Sequence, residues 1–281
     1  MLYRGCLRAL QDPAPCQPNP ALAKDPGLPS TCHKGRADRK SSLLWGGFMT
    51  AAQPGRRSAL LFDLDGTLVH SLPDMAGALN SLLEDLALPA LEIDEVRLMI
   101  GDGIPALVHR ALEAEGQAAA RLALEEAEIV RRFRAHYRAR LTRETRPYPG
   151  VVETLSRLRD GGWSMAVCTN KAETPAREIL DDLGLARFFG GLAGGDTYAA
   201  AKPAADPLLG LAEVLGRPRA ETVMVGDSPA DVGAARNAGM AVVAVSYGYR
   251  KVPAEALGAD VLIDRFDELP AALGGLIDTA R

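Results

Sequence analysis

Short apolar runs alternate with longer amphipathic stretches along most of the chain after residue 57. The apolar runs have the length of buried strands, and the stretches between them have the length and periodicity of helices. Strands are predicted at 58–62, 163–168, 190–194, 222–226, 241–245 and 261–263, and helices at 150–160, 173–183, 205–215 and 231–238. Because strands that alternate with helices form a parallel sheet covered on both faces, the predicted fold class is α/β.

The interval between the first two strands follows a helical pattern throughout. Its first stretch, 74–88, repeats apolar residues at the spacing of one helix face. Further helices are predicted at 92–100, 105–115 and 118–140. Residues 73–146 are therefore predicted to form a small helical bundle, called the insert, within an α/β core made of 57–72 and 147–281. Two prolines and a glycine at 147–150 predict a stiff hinge where the chain returns to the core.

The first 56 residues differ from the rest in composition. They are rich in Pro, Gly, Ser and charge without sustained periodicity, which predicts a disordered extension. Met49 begins a segment that continues directly into the first strand, and we expect native translation to start there.

Charge and cysteine usage exclude several classes of function. The net charge is −4, but residues 1–57 hold nine Lys and Arg against three Asp and Glu, so they carry +6 and the remainder −10. Because that remainder has no basic stripe, nucleic acid is not an expected partner. No apolar stretch approaches the ~20 residues that a membrane span needs. Only Cys168 of the four cysteines lies beyond residue 32, which argues for a reducing compartment, the cytoplasm.

Polar side chains follow the predicted strands at the points where they end. Asp63-Leu-Asp65-Gly66-Thr67 follows the first strand, and Thr169-Asn170-Lys171 follows the second. Lys202 lies in a later loop, and Asp227 and Asp231 follow the strand at 222–226. Since the carboxyl ends of parallel strands share one edge, these sets should meet there, where open α/β sheets bind ligands. Paired carboxylates beside a glycine suit a hard cation and a phosphate.

These motifs resemble those of the haloacid dehalogenase-type hydrolase superfamily. FDLDGTL, CTNK, the Lys202 loop and GDSPAD match its four motifs in order. VHSLPDM at 69–75, GGDTYAAAKPAADPLL at 194–209 and SYGYR at 246–250 further resemble the phosphoglycolate phosphatases. The resemblance implies a Rossmann-like core with a helical cap inserted after the first motif. It also implies a Mg²⁺-dependent phosphatase that acts on a small phosphorylated metabolite, 2-phosphoglycolate first among them.

The resemblance also assigns roles to the catalytic residues. Asp63 is expected to be the nucleophile that becomes an aspartyl-phosphate, and Asp65 the general acid and base. Thr169 would donate to the transferring oxygens, and Lys202 would hold the phosphate and tie Asp63 in place. The expected Mg²⁺ ligands are Asp63, Asp227 and the backbone carbonyl of Asp65.

Other residues receive subsidiary roles. Gly66, Thr67 and Asn170 are expected to contact the phosphate, and Arg110 in the insert stays open between reaching a substrate carboxylate and lying on the surface. Lys171 ranks behind Lys202 because the family motif places the reactive lysine in the later loop. Asp231 stays open between a supporting role at the metal and an N-cap of the following helix, and His70, in the linker before the insert, is expected to be solvated.

Several other functions are compatible with these motifs. The alternative enzymes are phosphatases of other metabolites, pyrophosphatases and phosphomutases. The alternative outside enzymes is a catalytically idle binding or regulatory protein on the same fold. Asp65 with Asp227 argues against dehalogenation, since relatives that attack carbon lack the second aspartate and need no metal. The insert contains no lysine, which argues against imine-forming phosphonate hydrolysis. The pattern does not indicate an oligomeric state.

Overall fold

A computed structural model describes residues 58–116, 124–249 and 251–278 of the chain. Residues 1–57 lie outside the described residues, and so do the predicted disordered extension and the proposed start at Met49.

The centre of the fold is a parallel sheet. The strands are β1 (Ala59–Phe62), β2 (Val69–His70), β3 (Arg146–Pro147), β4 (Ser164–Cys168), β5 (Leu192–Ala193), β6 (Thr222–Gly226), β7 (Ala241–Val245) and β8 (Val261–Ile263). Six of them pair in the order β5-β4-β1-β6-β7-β8, every pair parallel. β1 lies between β4 and β6, and its four residues are completely buried because helices cover both faces.

Helices cover both faces of the sheet. Those of the core are α5 (Val151–Asp160), α6 (Glu173–Asp182), α7 (Asp206–Val214), α8 (Pro229–Ala238) and α9 (Leu269–Asp278). Successive side chains of a strand point to opposite faces. Leu61 therefore packs in one cluster with α7 and α8, whereas Leu60 and Phe62 pack in another with α5, α6 and α9. The α/β, Rossmann-like prediction is confirmed, and α9 is an element that the pattern did not predict.

The described residues between β2 and β3 include four helices: α1 (Leu72–Asp85), α2 (Ile93–Met99), α3 (Ile104–Glu115) and α4 (Glu126–Arg138). α1 packs on α2 and α4, and α3 packs on α2 and α4. The fully buried Asp74 on α1 secures the last turn before the core, since its Oδ2 accepts hydrogen bonds from the amides of Glu144 and Thr145 and from the Thr145 hydroxyl.

The two connections between the insert and the core pair with each other. β2 and β3 form a short antiparallel ladder that joins Val69 to Pro147 and His70 to Arg146. The pattern predicted only a proline-stiffened hinge at this point, because two-residue strands are too short to show a period of two. The ladder brings the entry and the exit of the insert together beside the end of β1.

Candidate active site

A cavity of about 240 Å³ opens at the carboxyl edge of the sheet. Asp63, Asp65, Thr169 and Asp227 line it from the core side, after the ends of β1, β4 and β6. The insert lines the opposite side with the loop Gly101–Gly103 and with side chains of α1, α3 and α4. The motifs expected to meet at one edge of the sheet do meet there.

Asp63 is held by neighbours on its Oδ1 atom. The amide of Leu64 donates to that oxygen at 2.7 Å, and the ammonium of Lys202 lies 3.0 Å from it. Burial raises the pKa of Asp63 to about 6; Lys202 opposes this rise and the Asp231 carboxylate adds to it. These two contacts on Oδ1 hold the carboxylate at the wall of the cavity.

Lys202 is buried among three acceptors. Its Nζ lies 2.6 Å from Asp231 Oδ1 and 2.7 Å from the carbonyl oxygen of Cys168, in addition to its contact with Asp63. Burial acts to lower the pKa of Lys202, but the carboxylates of Asp231 and Asp63 outweigh it and raise the pKa above its ordinary value. Lys202 therefore stays charged and ties Asp63 to the sheet edge, as its expected role requires.

Asp231 is not the N-cap of α8. Ser228 occupies that position, and Asp231 is the third helical residue, whose Oδ2 accepts hydrogen bonds from the hydroxyl and the amide of Ser228 at 2.6 and 3.0 Å. The two residues form a reciprocal capping box. The N-cap alternative for Asp231 is therefore wrong. The helix begins three positions earlier than that alternative required, because Pro229 is favourable as the first helical residue. Both oxygens of Asp231 are thus occupied, one by the cap and one by Lys202.

Asp227 is buried and held at both oxygens. The Thr67 hydroxyl donates to Oδ1 at 3.2 Å, and the Tyr249 amide donates to Oδ2 at 2.6 Å. Burial, with the charges of Asp231 and Asp63, raises the pKa of Asp227 well above its ordinary value. A Cβ on Gly66 would lie 2.5 Å from Asp227 Oδ2, and Gly66 has a φ of +88°. Gly66 and Thr67 thus lie against Asp227. Their expected contact with the phosphate stays a prediction.

The donor set fits a hard cation. Carboxylate oxygens of Asp63, Asp227 and Asp231 lie within 4.8 Å of one another. Three carboxylates against the one ammonium of Lys202 leave two negative charges, which a dication would neutralise. Asp227 accepts hydrogen bonds from the neutral donors Thr67 and Tyr249, whereas Asp231 is already paired with the ammonium of Lys202. Asp227 is therefore the less neutralised of the two carboxylates.

Asp65 is held by a cation that the sequence analysis ranked low. Lys171 Nζ lies 2.9 and 3.2 Å from the two carboxylate oxygens of Asp65, and the Ser71 hydroxyl donates to Oδ1 at 2.5 Å. The same ammonium contacts the hydroxyl of Tyr137, on α4 of the insert, at 2.7 Å. Burial acts to lower the pKa of Lys171, but Asp65 and Tyr137 raise it. Tyr137 gave no functional signal in the sequence, because it continues the apolar face of α4.

Thr169 and Asn170 follow β4 on the wall of the cavity. The Thr169 hydroxyl accepts a hydrogen bond from the Lys171 amide at 3.2 Å and is buried. The Asn170 side-chain amide donates to the carbonyls of Gly101 and Lys202 at 3.3 and 3.1 Å. Asn170 therefore joins the insert loop to the Lys202 loop, a contact that its expected role at the phosphate did not include.

Arg110 and His70 differ from their expected surroundings. Arg110 donates to the Met99 carbonyl at 2.7 Å and to the Asp102 carboxylate, and is not among the described residues that line the cavity. His70 Nδ1 lies 2.9 Å from the Tyr249 hydroxyl, and its ring packs between Tyr148 and Tyr249. The expectation that His70 is solvated is wrong, because the β2–β3 ladder carries it into this aromatic cluster.

Residues 58–239 match the family model of haloacid dehalogenase-like hydrolases. The chain belongs to this family. All the aspartates at the sheet edge lie within the matched segment, whereas Tyr249 and Lys251 lie beyond it.

This haloacid dehalogenase-like hydrolase is similar to several phosphoglycolate phosphatases. It is 44% identical over 216 residues to the phosphoglycolate phosphatase of Caulobacter vibrioides, a match covering 76% of this chain and 90% of that protein. The enzyme of Chromobacterium violaceum is 45% identical over 211 residues, covering 75% of this chain and 94% of that protein. The family and these relatives establish the chain as a phosphatase.

Solved structures share the fold. A predicted phosphoglycolate phosphatase from Haemophilus somnus superposes with a TM-score of 0.74 at 34% identity, covering 79% of this chain and all of that one. CbbY from Rhodobacter sphaeroides, solved in complex with phosphate, gives a TM-score of 0.66 at 28% identity and covers 76% and 96%. Among the described residues of this hydrolase, none of the helices combines the length and the apolarity that a bilayer crossing requires.

Proposed function

We propose that this phosphatase hydrolyses 2-phosphoglycolate to glycolate and phosphate through an aspartyl-phosphate on Asp63. The observation that carries the proposal is that Asp63, Asp65 and Asp227 face one small cavity whose opposite wall is the helical insert. The names of the relatives support the substrate, and the cavity volume, below the roughly 300–1,000 Å³ of drug-sized pockets, suits a small metabolite.

Asp63 is the nucleophile. A carboxylate oxygen forms a bond to phosphorus while the bond from phosphorus to the glycolate oxygen breaks. Lys202 and the Leu64 amide hold Oδ1. The orientation of the carboxylate is therefore fixed before the substrate binds, which lowers the entropic cost of the attack. Lys202 and the hydroxyl of Thr169 add positive charge and a donor near the transferring oxygens, where negative charge develops.

Asp65 is the general acid and base. It gives a proton to the departing glycolate oxygen, and later takes one from the water that attacks the aspartyl-phosphate. Lys171 and Ser71 fix its carboxylate at the cavity wall. The proton returns to Asp65 in each turnover, so the two half-reactions balance.

Asp63, Asp227 and the backbone carbonyl of Asp65 would hold Mg²⁺ at this site. It supplies positive charge that allows the aspartates and the phosphate dianion to share one site. The carboxylate oxygens of Asp63, Asp227 and Asp231, which lie within 4.8 Å of one another beside the single ammonium of Lys202, support this assignment. Asp231 supports the site through Lys202 and through the cap of α8.

The insert acts as a cap domain over the core. We assign residues 73–146 to the cap, and 57–72 and 147–281 to the phosphatase core. The insert loop and α4 close the cavity above the aspartates, which excludes water from the phosphorylated enzyme. The free, buried thiol of Cys168 supports a cytoplasmic enzyme.

The experiment is phosphate release from 2-phosphoglycolate and a panel of small phosphates, with Mg²⁺ and with EDTA. We expect an EDTA-sensitive preference for 2-phosphoglycolate, and Asp63→Asn to lower turnover by at least about 10⁴-fold. Asp181→Asn, at an exposed position on α6, is the matched control.

Other outcomes would favour the rivals. A preference for pyrophosphate or a sugar phosphate would show that 2-phosphoglycolate is not the substrate. Transfer of the phosphoryl group to a second hydroxyl would indicate a mutase, and absence of metal-dependent release would indicate an idle binding protein.

A further inference from the structure

An ion pair crosses the cavity between core and insert. Lys251, in the loop that follows β7, donates to Asp102 Oδ2 of the insert loop at 3.0 Å. Both residues line the same cavity as Asp63 and Asp227. The proposed phosphate chemistry uses neither of them.

Asp102 has a second cation, and that cation belongs to the insert. The Arg110 guanidinium donates to the same Oδ2 atom and is anchored by the Met99 carbonyl. Partial burial alone would raise the pKa of Asp102, but Arg110 and Lys251 outweigh it and lower the pKa. If Lys251 moved to another anion, Asp102 would still be neutralised by Arg110. The exchange would therefore leave neither Asp102 nor Lys251 without a partner of opposite charge.

The other lysine that lines the cavity is committed elsewhere. Lys171 contacts both oxygens of Asp65 and the Tyr137 hydroxyl, and its side chain is 5% exposed. The side chain of Lys251 is 36% exposed, and its ion pair within the described part of the chain is with Asp102 alone. Of the two described lysines that line the cavity, Lys251 is thus the one that can exchange its partner for an incoming anion with the smaller free-energy cost.

The charges at this point do not balance. Lys251 and Arg110 bring two positive charges, and Asp102 brings one negative charge. The aspartate cluster beside Lys202 has the opposite imbalance. A substrate with a phosphate at one end and one negative charge at the other would fit both regions. Its phosphate would bind with the metal at the aspartate cluster, and its other charge would bind beside Lys251 and Arg110.

We propose that Lys251 determines specificity by binding the carboxylate of a small phosphorylated hydroxy acid, which replaces Asp102 as its partner. This inference rests on the proposed function and names the residue that selects its substrate class. Asp102 occupies the carboxylate position when substrate is absent, and Arg110 retains Asp102 when substrate arrives. Binding of the substrate carboxylate, the role considered for Arg110 from the sequence, is thus assigned to Lys251.

The test compares two substrates that differ at one end. 2-Phosphoglycolate carries a carboxylate where 2-hydroxyethyl phosphate carries a neutral hydroxymethyl group. We expect Lys251→Met to lower kcat/KM for 2-phosphoglycolate by about 10- to 100-fold, the loss of one charge-assisted hydrogen bond. The same variant should change kcat/KM for 2-hydroxyethyl phosphate by less than about 3-fold. Lys251→Arg, which keeps the charge, should retain much of the preference.

Two further measurements separate recognition from structure. Competitive inhibition by inorganic phosphate should be unchanged in Lys251→Met, because phosphate binds at the aspartate end. Asp102→Asn removes the competing carboxylate and should lower KM for 2-phosphoglycolate a few-fold without affecting the neutral substrate. This second variant tests the proposal even if Lys251→Met folds poorly.

Each alternative result has a definite meaning. An equal loss on both substrates would make Lys251 a latch between core and insert, and would overturn the proposal. A selective loss in Arg110→Met with none in Lys251→Met would return the role to Arg110. If the wild-type enzyme hydrolyses 2-phosphoglycolate but Lys251→Met retains full preference, the proposed function stands and this inference fails. If the wild-type enzyme hydrolyses neither compound, the proposed function itself fails.

Discussion

The ammonium of Lys171 lies 2.9 Å from a carboxylate oxygen of Asp65. Both side chains are nearly buried, 5% and 12% exposed, so solvent screens this pair weakly. The Tyr137 hydroxyl on α4 contacts the same ammonium. The proposed acid and base of the core is therefore linked through one lysine to the helical insert, and the packing of the insert on the core helps to position Asp65.

Replacing Lys171 should impair the chemical step. Lys171→Met leaves the Asp65 carboxylate with Ser71 and without its cation, so the carboxylate loses the contact that fixes its position. We expect kcat for 2-phosphoglycolate to fall by about 10²-fold, within the range that a positioned acid or base contributes. Tyr137→Phe keeps the ring and removes one hydrogen bond, so a loss below about 10-fold is expected. A wild-type kcat and pH profile in Lys171→Met would exclude this positioning role.

Asp231 should matter more for stability than its capping partner. Asp231→Ala removes a buried partner of Lys202 and the reciprocal cap of α8 together. Breaking a buried ion pair costs about 3–5 kcal/mol, and relief of repulsion with Asp63 and Asp227 offsets a part of this. Ser228→Ala removes the cap alone and should cost about 1 kcal/mol. Urea unfolding of both variants measures the difference; equal losses would show that the Lys202 pair contributes nothing.

Magnesium should stabilise the fold through Asp227. A ligand at 100 times its Kd adds about 2.7 kcal/mol to the free energy of unfolding, which corresponds to roughly 5–10 °C in Tm. Asp227→Asn should abolish that Mg²⁺-dependent rise, while Asp181→Asn on the surface of α6 should keep it. A thermal unfolding series with Mg²⁺ or EDTA makes the comparison without any substrate. The assignment of Asp227 as a ligand fails if its variant responds to Mg²⁺ as the wild type does.

His70 should make stability depend on pH. Burial lowers the pKa of His70 below its ordinary value of 6.5, and the positive charge of Arg97 adds to this. The groups that face its ring are the hydroxyls of Tyr148 and Tyr249. The unfolded chain therefore takes up a proton at this residue first as pH falls below 6.5, so the stability that His70 contributes is present above 6.5 and is lost on acidification.

The comparison with His70→Gln isolates that contribution, because other groups titrate equally in both proteins. The difference in unfolding free energy between wild type and variant should shrink from pH 8 to pH 5.5, measured by urea unfolding. A difference that stays constant over this range would mean that His70 is protonated equally in the folded and unfolded chains.

The elements and the aspartates of the site were predictable from the sequence because their signals are local. A buried strand is a run of apolar residues, and Asp63 and Asp227 follow such runs directly, so their meeting at one sheet edge needed only the parallel topology. β2, β3 and α9 escaped prediction: the two strands are too short to carry a period, and α9 follows the last apolar run that the alternation included.

Contacts between distant residues were decided by the tertiary structure alone. Lys171 and Tyr137 are 34 positions apart, Asp102 and Lys251 are 149 apart, and His70 and Tyr249 are 179 apart. No local pattern records which side chain of a helical insert faces which loop of the core, since that depends on how the insert packs when its two connections pair. The sequence therefore determined the sheet, the residues at its carboxyl edge and the family, and packing determined which partners hold each proposed catalytic group.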